Sequence, residues 1–185
     1  MRDDTSDGPR ILQRKVEFTT PWFAVVAKRL PAEAAPYYSL QMQDYVAVVA
    51  LTREREIILV RQYRPAIERL TLELPSGHVE RNEMPAESAR RELAEECGFE
   101  AGRMEPLGPL LSDTGRNQNR LWCFLAPEAM PQAGYVPEAG IERVLVPQGK
   151  LPEMLVEGQF DHALHLAALM LAVAKYPGVC LANLR

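Results

Sequence analysis

Apolar residues recur along this chain with two different periods, and the switch between them marks out its elements. From Ile11 to Leu30 the apolar positions Val16, Phe18, Phe23, Val25 and Val26 read as short strands broken at Pro21. Pro31 to Pro36 reads as an Ala/Pro connection. Tyr45 to Leu51 and Ile57 to Arg64 are β-branched runs around the charged turn Thr52 to Glu56, the pattern of a hairpin whose strands sit centrally in a sheet. Leu70 to Leu74 is a further strand, and Pro75-Ser76-Gly77 forces an irregular turn after it. The period then becomes helical. Ala86, Ala89, Leu93 and Cys97 fall at three- and four-residue spacing and form a narrow face of small apolar residues, suited to close packing on a sheet. Asn82 is placed to cap that helix, Pro85 suits its first turn, and Gly98 ends it. Leu107 to Leu111 and Leu121 to Leu125 read as strands flanking the polar loop Ser112 to Asn119, and Arg143 to Val146 as a last short strand. Phe160 to Tyr176 is an Ala/Leu-rich amphipathic helix stopped by Pro177-Gly178. Strands with helices interposed and appended predict a layered α/β domain with a mixed sheet.

Composition narrows the partners. A chain of 185 residues with 47% hydrophobic and 25% charged residues fits one globular domain rather than a disordered or membrane protein. The net charge of -4, with Lys and Arg scattered, lacks the basic footprint a nucleic acid requires. Cys97, Cys123 and Cys180 lie far apart without a CxxC, so neither a disulfide framework nor a cysteine zinc site is expected, and a reducing cytoplasm fits. Met1 to Pro9 is polar and expected to fray, and no run approaches the ~20 apolar residues of a membrane span.

The chemistry concentrates on the first helix. Glu92, Glu95 and Glu96 stand at i, i+3 and i+4, so the three carboxylates share one helix face. Like charges at that spacing repel, and a cation is the natural offset. Hard oxygen donors select Mg²⁺ or Mn²⁺ over zinc. The bland alternative is a solvated acidic face paired with Arg90, Arg91 or Arg103. Glu83 and Arg91 are placed to pair and hold the preceding loop on the helix.

The run GHVERNEMPAESARRELAEECGF, from Gly77 to Phe99, resembles the Nudix box, Gly-x5-Glu-x7-Arg-Glu-U-x-Glu-Glu-x-Gly-U with U apolar, at every fixed position. By background residue usage such a coincidence occurs about once in 10⁸ windows. The resemblance implies a Nudix α/β/α sandwich with a mixed β-sheet and an N-terminal β extension. It also implies hydrolysis of a nucleoside diphosphate linked to another moiety, with the Ser76 carbonyl joining Glu92, Glu95 and Glu96 as metal ligands and Glu95 serving catalysis as well.

Flanking residues narrow the branch. Arg61-Gln62-Tyr63-Arg64-Pro65 and Glu73-Leu74-Pro75-Ser76-Gly77 look like the ADP-ribose pyrophosphatase branch, which acts on nucleoside diphosphate sugars. That likeness implies Arg61, Arg64, Glu73 and Arg116 as contacts to phosphate or sugar, and Trp22 and Tyr38 as base-stacking aromatics. A glutamate on the loop before the last strand would serve the water, either Glu138 or its alternate Glu142. Residues 1–44 would form an extension for dimerisation and base binding, and residues 45–185 the hydrolase domain of a homodimer. The rivals are a nucleotide-sensing domain without catalysis and a hydrolase of nucleoside triphosphates. Intact carboxylates oppose the first; the long N-terminal segment and the Arg61–Pro65 run oppose the second.

Overall fold

The computed structural model describes residues 8–179. Residues 1–7 of the segment Met1 to Pro9 that was expected to fray, and Cys180, lie outside them. The strands are β1 (Gln13–Thr19), β2 (Phe23–Arg29), β3 (Tyr37–Met42), β4 (Tyr45–Leu51), β5 (Glu56–Arg64), β6 (Arg69–Glu73), β7 (Ser76–His78), β8 (Phe99–Ala101), β9 (Glu105–Leu111), β10 (Arg120–Ala126), β11 (Ala129–Pro131) and β12 (Ile141–Pro147). The helices are α1 (Pro85–Cys97), α2 (Leu151–Val156) and α3 (Ala163–Lys175). They form two compact units, residues 8–43 with 111–119, and 44–110 with 120–179. No helix among the described residues is long and apolar enough to cross a membrane.

The larger unit is built on a seven-stranded sheet with central order β12-β5-β4-β10-β9, β6 joining β5 and β7 joining β4. β10 runs parallel to β4, while β5, β7 and β12 pair antiparallel, so the sheet is mixed. β4 explains why the unit has three layers. Its run Val46 to Ala50 is wholly buried, with no polar face, because both sides of the sheet are covered. Val46, Val48 and Ala50 pack with Ala89, Leu93 and Cys97 of α1 on one side. Ala47, Val49 and Leu51 pack with Ala168, Leu169 and Ala172 of α3 on the other. The small side chains of α1 bring that helix close to the sheet, as its spacing predicted. Cys97 and Cys123 are buried and free, and burial raises both thiols, Cys123 to about 12.

Helix boundaries correct the sequence in two places. Asn82 adopts φ +70 in the turn before α1, and Met84 is the N-cap. The Met84 amide donates to the Glu87 carboxylate at 2.9 Å, so a glutamate in the first turn answers the orphan amide that Asn82 was expected to cap. α3 begins at Ala163 rather than Phe160, because the His162 imidazole accepts the His165 amide at 3.3 Å and fixes the cap there. α2 and the short pair β8–β11 have no sequence signal of adequate length.

In the smaller unit β1, β2 and β3 make an antiparallel sheet. β3 was not legible as a strand; its pairing partners define it. Leu40 exchanges backbone hydrogen bonds with the polar loop, accepting from Gln118 at 3.1 Å and donating to Arg116 at 2.8 Å, which draws residues 111–119 into this unit. β1 is exposed along its whole length, with Val16 and Phe18 in solvent.

One buried polar contact ties α3 to the strand leading into the Gly77 turn: the Leu74 amide donates to Nδ1 of His165 at 3.1 Å. Burial, reinforced by His162, drives the His165 imidazole down from 6.5 to about 3. The unfolded chain therefore takes up a proton at residue 165 between pH 6.5 and about 3 that the folded chain refuses, so stability falls as pH drops through that window. Glu73, brought from 4.5 to about 2, adds its own loss only below its ordinary value. Denaturant unfolding at pH 7 and pH 5 should show the wild type losing about 2 kcal/mol to this residue, and His165→Asn, which keeps an acceptor for Leu74 but no titrating ring, should lose correspondingly less. Equal losses in both proteins would rule out this coupling.

Candidate active site

α1 carries its acidic face toward the turn at Gly77. Glu96 is 5% exposed, and its carboxylate accepts the Ser76 amide at 2.9 Å. A Cβ on Gly77 would fall inside the carboxylate of Glu92, so a side chain there would displace that carboxylate. Burial raises the Glu96 carboxyl to about 8 against the pull of the Ser76 amide, and the charges of Glu92 and Glu138 push the same way. Burial raises Glu92 also, opposed by Arg91 and assisted by Glu95 and Glu138. Glu95 is the exposed member of the trio. Two neighbouring carboxyls thus pay for desolvation in a pocket of oxygen donors, the condition a hard divalent cation relieves.

Arg91 organises the other side. It donates to Glu83 at 3.2 Å, to Glu92 at 2.8 Å, to Glu95 at 3.0 Å and to the His78 carbonyl at 3.1 Å. Glu83 also accepts the Ser88 hydroxyl at 2.6 Å, and Arg91 followed by Ser88 lowers its carboxyl. The pairing of Glu83 with Arg91 that the spacing predicted therefore exists, and it clamps the loop onto α1.

The two candidates for the water differ in surroundings. Glu138 lies on the loop before β12 and raises both Glu92 and Glu96 by its charge. Glu142 is on β12 itself, directly opposite Arg61 in register, and accepts from it at 3.1 Å. Arg64 is committed as well. Its Nε and one Nη bind the Glu73 carboxylate at 2.8 and 2.6 Å, while Thr71 donates to the same carboxylate at 2.7 Å. Burial alone would raise Glu73, but these donors outweigh it and bring the carboxyl down to about 2. Arg61 and Arg64, expected to contact phosphate or sugar, each bind an acidic partner that the sequence had not paired with them.

Glu73, His162 and His165 bring ligand atoms within 4.8 Å of one another. Their protons argue against a metal there. Nδ1 of His165 accepts the Leu74 amide and Nδ1 of His162 accepts the His165 amide, so in each neutral ring the proton sits on Nε2 and no lone pair is left to ligate. These two histidines serve the structure, His162 capping α3 and His165 accepting the Leu74 amide.

In the smaller unit Trp22 and Tyr38 are 73% and 49% exposed, large aromatic surfaces left in solvent. Arg116 stacks over the Tyr37 ring at 5.5 Å and donates to the Gly115 carbonyl at 2.7 Å. Sequence reasoning passed over Tyr135 and Arg143. Tyr135 donates to the Glu96 carbonyl at 2.6 Å, and Arg143 to the Cys97 carbonyl at 2.7 Å. An aromatic inside a polar loop and a basic residue beginning a strand were their only signals.

A mixed sheet between helix layers, with a carboxylate face set against a glycine turn, defines an α/β protein whose hard oxygen groups are gathered on one helix. A model of the NUDIX domain matches residues 42–158, and the chain belongs to that family. The fold is similar to that in a crystal structure of an ADP compounds hydrolase, with a TM-score of 0.79 over 94% of this chain and 97% of that one at 23% identity. The chain is 39% identical over 83 residues to an ADP-ribose pyrophosphatase of Bacillus subtilis, covering 45% of each. It is 47% identical over 60 residues to a methanol dehydrogenase activator of Bacillus methanolicus, covering 32% of each. These matches span less than half the length of those curated relatives.

The carboxylate face should bind a divalent cation measurably. Mg²⁺ or Mn²⁺ at about a hundred times its dissociation constant should stabilise the wild type by about 2.7 kcal/mol, raising Tm by roughly 5–10 °C. Glu96→Gln keeps the volume and relieves a buried acid, so it should melt no lower than wild type without cation and show less than about a fifth of the cation shift. A full shift in Glu96→Gln would remove Glu96 from the ligand set.

Proposed function

We propose that this chain hydrolyses the pyrophosphate bond of ADP-ribose or a related nucleoside diphosphate sugar in a Mg²⁺-dependent reaction, with Mn²⁺ able to replace Mg²⁺. The products are a nucleoside monophosphate and a sugar phosphate, AMP and ribose 5-phosphate in the case of ADP-ribose. The observation that carries this reading is the set of neighbouring carboxyls on α1, with Glu92 and Glu96 both raised by burial and both sensing Glu138.

The Ser76 carbonyl with Glu92, Glu95 and Glu96 would hold the cation. When bound, it supplies Lewis acidity at phosphate oxygen and makes a water easier to deprotonate. Glu138 is assigned the proton of the attacking water, and Glu95 a supporting place beside it. Glu142 is the weaker assignment, because Arg61 already occupies it. Arg64 uses Nε and one Nη on Glu73, which fixes its plane and leaves the other Nη for a phosphate oxygen. Arg61 and Arg116 are assigned to phosphate or sugar, with Glu73 acting through Arg64.

Trp22 and Tyr38 are assigned to the nucleobase, and the extension of residues 1–44 to a homodimer, with the hydrolase domain at 45–185. Exposure of both aromatics and of Val16 and Phe18 on β1 supports this, since such surface is expected to be covered by base or by a second copy. The name of the Bacillus subtilis relative supports the substrate class. A cytoplasmic setting, with no nucleic-acid or membrane partner, suits the negative charge and the free buried thiols. The intact Glu92, Glu95 and Glu96 oppose a purely sensing domain.

Steady-state kinetics with Mg²⁺ test the substrate class. ADP-ribose or another nucleoside diphosphate sugar should exceed every deoxynucleoside triphosphate in kcat/KM by about tenfold or more, because the arginines and the stacked base bind both ends of the diphosphate. A triphosphate preferred tenfold over ADP-ribose and GDP-mannose alike would overturn the reading.

A further inference from the structure

A cavity of about 340 Å³ opens beside the Arg64–Glu73 pair, where β6 meets the start of α3. That size is at the small end of the range for ligand pockets, about 300–1,000 Å³. Its polar groups come in matched pairs. Glu73 holds Arg64 through two bonds, and Asp161 accepts from Arg69 at 2.5 Å. In the described lining the two carboxylates balance the two guanidiniums, so no spare cation waits for a terminal phosphate. Hydroxyls suit it better. Arg69 takes one oxygen of Asp161 and leaves further acceptor sites on that carboxylate and further N–H groups on itself. His162 also lines the cavity, and because its Nδ1 accepts the His165 amide, its Nε2 carries a proton to donate. Donors and acceptors set side by side match neighbouring sugar hydroxyls, each of which gives and takes a hydrogen bond. Ala66 and the exposed Ile67 add apolar surface for a C–H face. A nucleobase finds less. Among the described residues no Phe, Tyr or Trp lines the cavity, and the His162 ring is already stacked on His165 at 3.8 Å.

The cavity adjoins the acidic face of α1. Glu73 stands three residues before Ser76, so their Cα atoms are at most ~11 Å apart, and the Ser76 amide binds the Glu96 carboxylate at 2.9 Å. Arg64 lines the cavity, and the Nη that Glu73 does not hold is assigned to a phosphate oxygen. In a nucleoside diphosphate sugar the bridge between sugar and phosphorus is one oxygen atom. A sugar whose phosphate rests on Arg64 therefore lies in the space beside that guanidinium.

We propose that this cavity receives the sugar on the far side of the diphosphate, and that Asp161 and Arg69 determine which sugar is accepted. Asp161 accepts from sugar hydroxyls, Arg69 and the Nε2–H of His162 donate to them, and Ile67 covers a C–H face. This rests on the reading of the chain as a nucleoside diphosphate sugar hydrolase. The cavity adds to that reading a recognition site for an uncharged polyol, built from residues outside the carboxylate face.

The test uses the full chain with Mg²⁺ and whichever of ADP-ribose and GDP-mannose it turns over faster. Asp161→Asn keeps the side-chain volume and removes the charge. It should raise KM about tenfold while kcat changes less than about twofold, the pattern of a lost binding contact. ADP or GDP, matched to the base, carries the diphosphate without the second sugar, so its inhibition constant should change less than about twofold. Arg69→Gln should give the same split. A merely structural loss at the start of α3 would raise the substrate's KM and the nucleoside diphosphate's constant together, and that result overturns the proposal. The wild type supplies a readout that needs neither turnover nor variants. The His162 ring signals in an NMR spectrum should shift with ribose 5-phosphate or mannose 1-phosphate at a concentration that inhibits turnover, and orthophosphate at that concentration should leave them in place. Equal shifts from both would make the cavity an anion site, and no shift from the sugar phosphate would deny it a sugar; either outcome overturns the proposal. An unchanged KM in Asp161→Asn, with the sugar nucleotide still preferred over triphosphates, overturns it and leaves the hydrolase reading standing. A triphosphate preferred tenfold by the wild type would instead remove that reading, and the sugar site with it.

Discussion

Everything at this site depends on a carboxylate that is buried beside others like itself. Glu96 is nearly withdrawn from water, with one amide as its hydrogen-bond donor and Glu92 next to it. Such a group is costly, and the surrounding structure is arranged around that cost. The Ser76 amide is aimed at it by the bend after β6, Gly77 keeps the chain close by having no side chain, and Arg91 draws the charge of Glu92 and Glu95 to one flank. What remains unbalanced is negative charge on hard oxygens. In the proposed function a divalent cation would answer it, which links the fold of α1 to the chemistry assigned to it.

The sheet makes that arrangement rigid. β4 is apolar on both faces because α1 and α3 cover opposite sides, and the strands that carry Arg61, Arg64 and Glu73 pair with it or with its neighbour. Side chains on such strands have little freedom, so the bidentate hold of Glu73 on Arg64 is a preorganised guanidinium rather than a loose surface pair. The histidine beneath it plays a matching part. His165, kept neutral by burial, accepts the Leu74 amide just before the Gly77 turn and anchors α3 to the strand that enters the site. Packing on one face of the sheet thus supports acid chemistry on the other.

Much of this was legible in the sequence, and the reason is local periodicity. The helix bearing Glu92, Glu95 and Glu96, its small apolar face, its proline and its glycine stop all follow from spacing within a few turns, and the box spacing identifies the family before any contact is known. The central hairpin and the layered α/β class follow from runs of β-branched residues in the same way. Tertiary structure decided whatever depends on residues far apart in the chain. Tyr135 meets Glu96 across a gap of 39 positions, Arg61 meets Glu142 across 81, and His165 meets Leu74 across 91. β3 became a strand because β2 and residues 116–118 offered it partners. The Glu87 carboxylate displaced Asn82 as the group answering the helix start, a choice set by the turn at Asn82 rather than by residue type. Which acids lie close together, which arginine is already held, and which hydroxyl meets the helix end are set by the folding of the sheet. Periodicity reports only the face on which a side chain stands, and long-range pairing determines what it faces.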